Sequence, residues 1–166
     1  MFGLTPLGTV HTGLSVVALA AGAWVLVRDR GLPVLNRRGL AYLVSTALVA
    51  ATSLAIFQRG SFGLGHKMAV ATLVALGAVL IALRTRVLGR ASPYVAAASF
   101  SLTLLLHLIA GAAETLTRLP PAAPLLHAGN FAAFGTIVDG LVALFLAGVA
   151  AQCYAIATRP SSPTRG

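Results

Sequence analysis

His107 and Glu114 stand seven residues apart in the stretch SLTLLLHLIAGAAETLTRLPP, two helical turns, so both project from one face of one helix. An imidazole and a carboxylate placed in this way can ligate a metal, orient a cofactor or pass a proton. The twenty residues from Tyr94 to Ala113 carry no formal charge and suffice to cross a bilayer. An ionisable side chain inside such a run costs free energy unless it has a partner or a function, which makes His107 the first candidate. Glu114 precedes Arg118 by four residues, the favourable order for a helical ion pair, so part of its role is to anchor the helix end. His11, His66 and Asp139 also lie in or at the ends of apolar runs, whereas His127, in PAAPLLHAGN, reads as an interfacial loop residue.

Three chemistries use histidines gathered among apolar helices. In b-type haem binding, one imidazole from each of two helices ligates the iron and the bundle encloses the macrocycle. His11, His66 and His107 supply candidate pairs for this. In a metal site, the same imidazoles with Glu114 or Asp139 would suit Zn, Cu or Fe. No HxxxH or HExxH spacing is present, so such a site depends on convergence in space. The third chemistry is a proton or substrate path of alternating histidines and carboxylates. The sequence has no GxSxG, Walker loop or dinucleotide fingerprint, so any activity would be membrane redox chemistry. Gly60, Gly63 and Gly65 read as a turn that brings His66 close to the helices.

The elements that must position these residues are hydrophobic helices. Only 9% of residues are charged and the mean hydropathy is +0.92, whereas soluble domains carry roughly a quarter charged residues. The chain therefore reads as an integral membrane protein whose principal partner is the lipid bilayer. Its net charge of +9 falls in short clusters between apolar spans, the pattern of topology signals and not of a nucleic-acid-binding surface. Cys153 is the single cysteine, which excludes an intrachain disulfide and a thiolate cluster. The abundance of Ala, Leu, Gly, Val and Arg suggests a bacterial chain, and with it the bacterial inner (cytoplasmic) membrane.

Apolar windows place spans at about residues 9–27, 40–58, 65–84, 94–113 and 131–158, a single all-α bundle over 1–158 with a tail at 159–166. The first and third connections and the tail hold nine arginines, against Arg59, Lys67 and Arg118 in the second and fourth. That asymmetry places the N-terminus outside and the C-terminus and tail in the cytoplasm. The first span reads as a retained helix because its positive charges follow it, whereas those of a signal peptide precede the apolar region. Gly135, Gly140 and Gly148 are the expected seams for close helix packing.

With about 1.5 Å of rise per residue, all four histidines fall in the outer half, which allows at most one haem. Glu114 lies at the outer end of the fourth span and Asp139 about two turns into the fifth. Asp139 has no cation near it in sequence, so the histidines or Arg118 are its expected partners. A bond from His107 to a Ser or Thr of a neighbouring helix would be a purely structural alternative.

His11 with Gly13, Arg37–Gly39 opening the second span, Gly65-His66 opening the third, and AGAAETLTRLP at Ala110–Pro120 form a set of short motifs. Over roughly residues 9–120 the chain resembles the bacterial predicted membrane proteins of domain-of-unknown-function family 2306. The resemblance implies a helical membrane bundle with His11, His66, Glu114 and Arg118 as signature positions, and it supplies no function. The chain departs from the family pattern at Asn36-Arg37, where a His-Arg step is usual, which argues against an inner histidine site.

These readings lead to a redox or cofactor-binding membrane subunit with His11, His66 and His107 as ligands. Glu114 and Asp139 would support the ligands or handle protons. The rival is a transporter-like or assembly subunit without cofactor, with other membrane subunits or a lipid quinone as further partners.

Overall fold

A computed structural model of the chain describes residues 5–29, 35–57, 61–85, 87–118 and 131–159, with the side chains of Arg118 and Phe131 excepted. His127, Arg59, Arg86 and the 160–166 part of the tail lie outside these residues. Five α-helices account for most of the described chain: α1 (Pro6–Arg28), α2 (Arg37–Leu54), α3 (Leu64–Arg84), α4 (Ser92–Arg118) and α5 (Phe131–Ala157). No strand occurs among the described residues. Four of the five, α1, α3, α4 and α5, are long and apolar enough to cross a membrane. The shortest, α2, opens on Arg37 and Arg38 and carries Ser45, Thr46, Thr52 and Ser53. It falls below that threshold, although the apolar window at 40–58 overlaps it.

Local chemistry sets the helix ends, which apolar windows do not see. Thr5 caps α1, its hydroxyl oxygen accepting from the Gly8 N–H at 3.1 Å, with Pro6 in the first turn. Asn36 does the same for α2, accepting from the Gly39 N–H at 2.9 Å. α4 runs past the apolar window to Arg118, so Glu114 lies within the helix. Before α4 the chain turns through Gly89, whose φ of 49° lies in the left-handed region that glycine adopts at little cost.

The helices α1, α2, α3 and α4 pack in sequence, and α1 also meets α4, so the four close on a shared core. Val25, Tyr42, Leu43, Leu76, Val79, Phe100 and Leu104 fill that core. The Tyr42 ring lies 4.5 Å from that of Phe100, and its hydroxyl is 2.6 Å from Thr103 Oγ1. Thr103 donates its own proton to the Phe100 carbonyl at 2.7 Å, so it accepts from Tyr42. α1 passes closest to its neighbours at Gly22, where a Cβ would stand 2.8 Å from Tyr42 Cε2 and 3.0 Å from Leu104 Cδ1.

α5 packs on α4 from outside this ring, joined by Ser101 donating to Gln152 Oε1 at 3.0 Å. Gly135, Gly140 and Gly148 have no neighbouring atom within 4 Å of where a Cβ would be. Among the described residues, the expected packing seam on this helix does not form against another helix of the chain. Exposed Val16, Val17, Trp24, Val44, Val74, Leu144 and Leu146 give the bundle an apolar exterior, suited to hydrocarbon and not to water.

At the end of α1 away from the N-terminus, Arg38 donates to the Asp29 carboxylate at 2.9 Å. Asn36 adds a longer contact to the same group. The Arg38 hydrogen bond holds the Asp29 carboxyl below the usual carboxylate range. A depressed folded-state value contributes stability above the unfolded pKa of about 3.9, lost as pH falls through the folded value. Acidification below about pH 4 should therefore lower the thermal midpoint of wild-type protein more than that of Asp29→Asn. Equal acid limbs in the two proteins would show that the pair adds nothing.

Candidate functional site

One end of the bundle, formed by the start of α1, the end of α2, the start of α3 and the end of α4, holds a half-open cavity of about 510 Å³. His11, His66, His107 and Glu114 all line it. Thr12, Ser15, Ser53 and Thr72 add hydroxyls, while Val16, Leu19, Ile56 and Leu106 make other parts of the wall apolar. A volume in the range of about 300–1,000 Å³ is typical of small-ligand sites, and this wall carries three imidazoles, a carboxylate and several hydroxyls.

His107 is buried, with 8% of its surface exposed. Its Nδ1 lies 3.2 Å from the Thr103 carbonyl, one turn back in the same helix. No Ser or Thr of a neighbouring helix bonds to it among the described residues, so the structural alternative weighed from the sequence is not realised. Nε2 is buried and has no hydrogen-bond partner there. A buried polar group left unpaired costs about 1–3 kcal/mol.

His66 is 6% exposed and so is not solvated at the surface beside Lys67. It occupies the third position of α3, where Nδ1 accepts from the Gly63 N–H at 3.1 Å and closes the first turn. Phe57 and Phe62 flank the ring, with centroids 4.5 and 4.9 Å away. Its Nε2 is likewise buried and without a partner among the described residues.

His11 is half-buried and is tied across to α2, with Nδ1 2.9 Å from Thr52 Oγ1. Glu114 lies exposed on the cavity wall, within electrostatic reach of His11, and His11 is within the same reach of His107. Arg118 lies at the last position of α4, one turn beyond Glu114.

Asp139 is exposed on α5 and is not part of the cavity wall, so the expected gathering of this carboxylate with the histidines does not occur. Cys153, on the same helix, is a half-buried free thiol outside the wall as well. Among the described residues no three His, Cys, Asp or Glu side chains come together closely enough to hold a metal ion. The three imidazoles share a cavity, but not a common coordination point.

Comparisons with family models, curated proteins and solved structures find no match to this chain. The site must be read from its own geometry. Sequence reasoning missed Thr52, Phe57 and Phe62, which fix or flank the imidazoles, and named Gly63 as a turn residue near His66 but not as the donor to its ring. The turn glycines gave a partial signal for Gly63. Nothing in the spacing of Thr52 relative to His11 could have paired them, since they lie on different helices.

Proposed function

We propose that this chain is a membrane subunit that binds a redox cofactor in the outward half of its bundle. A single observation carries the reading. His66 and His107, each more than nine-tenths buried, line one cavity and leave Nε2 without a partner among the described residues. Two such groups at about 1–3 kcal/mol each are an expensive way to fill space, and a bound ligand would offset that cost. The likeness to domain-of-unknown-function family 2306 belongs to the same proposal, and three of the positions it implies, His11, His66 and Glu114, line the cavity.

The proposed topology is five spans with the N-terminus outside, α2 crossing as the short member, in a bacterial inner membrane. The arginine asymmetry supports it. In that orientation the cavity lies on the outer side, and Glu114 is placed to exchange protons with the outer medium. In the haem variant of this reading, His11, His66 and His107 are the candidate residues to hold the group, which would supply one-electron chemistry. A transition-metal variant would need the same side chains to close further around an ion.

The test is a preparation in mild detergent, analysed by absorption spectrum, organic extraction and elemental analysis. A stoichiometric haem, metal or extractable redox-active compound is expected, and His107→Ala should lose it. Protein free of all three that also fails to take up haem or quinol when supplied overturns the proposal.

A second reading is favoured by α5. None of its apolar window is buried within the chain, and Asp139 is exposed along it. A carboxylate facing hydrocarbon is costly, so contact of this helix with another membrane subunit is proposed alongside cofactor binding.

A further inference from the structure

The three imidazoles of the cavity present a fixed mixture of donors and acceptors. At His66 the Gly63 N–H donates to Nδ1 at 3.1 Å, so the neutral ring carries its proton on Nε2. At His107 the opposite holds, because the Thr103 carbonyl can only accept and lies 3.2 Å from Nδ1. The proton is on Nδ1, and Nε2 is a bare lone pair. At His11 the partner is Thr52, whose hydroxyl lies 2.9 and 3.0 Å from the Leu48 and Val49 carbonyls and donates to them. Thr52 Oγ1 therefore accepts from the His11 Nδ1–H at 2.9 Å, which leaves Nε2 of His11 an acceptor too. One buried N–H donor and two nitrogen acceptors line the same cavity.

We infer that the cavity binds a lipid-borne dihydroxy headgroup, the reduced quinol form of a membrane quinone. This rests on the cofactor-binding function proposed above and names the ligand. A quinol has two hydroxyls, each able to donate once and to accept. Their protons match the lone pairs of His107 and His11, and one oxygen accepts from His66. The oxidised quinone has two carbonyl oxygens and no donor. It satisfies His66 but sets its lone pairs against those of His107 and His11. The arrangement therefore discriminates by redox state, in favour of the reduced form. Haem would use only the two acceptor rings and leave the buried N–H of His66 unexplained. A metal ion would meet that same proton instead of a lone pair. The apolar part of the wall, with Val16, Leu19, Ile56 and Leu106, suits a flat ring that reaches the site from the bilayer.

The full chain, purified in detergent and stripped of lipid, is titrated calorimetrically under nitrogen with a short-tailed quinol, its oxidised quinone and a diacylglycerol. The quinol should bind about tenfold or more tightly than the quinone, the factor that one mismatched hydrogen bond supplies. His107→Leu should weaken the quinol by about the same factor and narrow the gap between the two forms. Wild-type protein needs no variant to decide the main point. Quinone binding as tightly as quinol overturns the inference and leaves the cofactor-binding function standing, as does stoichiometric haem in the cavity. Diacylglycerol binding as tightly as quinol assigns the site to a lipid glycerol headgroup and overturns the quinol. Protein that holds no stoichiometric metal and binds none of quinol, quinone or haem overturns both.

Discussion

His107→Leu should raise the thermal midpoint of the ligand-free protein and weaken binding of the ligand proposed for the cavity. The imidazole at this position sits 8% exposed, and its Nε2 has no partner among the described residues. Its other nitrogen bonds a carbonyl of its own helix, to Thr103. Leucine of similar bulk removes the unpaired group, worth about 1–3 kcal/mol, and leaves the helix ladder intact. A residue held for packing alone would behave the other way. His11→Leu is the control, because His11 already has a partner in Thr52 and its replacement should bring no such gain. Differential scanning of the two purified variants separates the cases. A His107→Leu protein less stable than wild type shows that the imidazole is structural and removes the main support for a ligand site.

Gly22→Val should deplete folded protein, the largest stability effect expected from a single small substitution. A Cβ there meets Tyr42 Cε2 at 2.8 Å and Leu104 Cδ1 at 3.0 Å. Tyr42 has little freedom to move, being fully buried, tilted against Phe100 and bonded through its hydroxyl to Thr103. Overpacking of this kind costs about 1–3 kcal/mol, and a branched side chain reaches further than Cβ alone. Gly148→Ala, with nothing within 4 Å, should leave the midpoint of the isolated chain nearly unchanged. Detergent-solubilised yield and thermal midpoint compare the two. A Gly22→Val protein that matches wild type would mean that α1 does not pass this close to α2 and α4.

The same pair of positions shows where sequence reading reached its limit. Gly135, Gly140 and Gly148 drew attention as packing seams because they recur along one apolar helix. The close approach instead occurs at Gly22, in a first helix where small residues are just as common. Small residues permit close packing, but which one is used depends on which helix lies opposite. Asp139 illustrates the point from the other direction. With no cation near it in sequence, its expected partners are the histidines or Arg118, yet α5 lies outside the four-helix ring and Asp139 is not part of the cavity wall.

What the sequence determined by itself is the set of helices and the end at which the chemistry collects. A run of about twenty apolar residues has few alternatives to a helix, and 1.5 Å of rise per residue converts position into depth. Hence His11, His66, His107 and Glu114 could be assigned to one end before any fold was known. Tertiary structure alone decided that these four line a single cavity and that Asp139 does not. It also decided which groups meet the rings: the Gly63 N–H, the Thr103 carbonyl and the Thr52 hydroxyl. Depth along a helix follows from local geometry, whereas the direction a side chain faces follows from rotation about the helix axis. That rotation is set by packing against neighbouring helices, Gly22 against Tyr42 foremost.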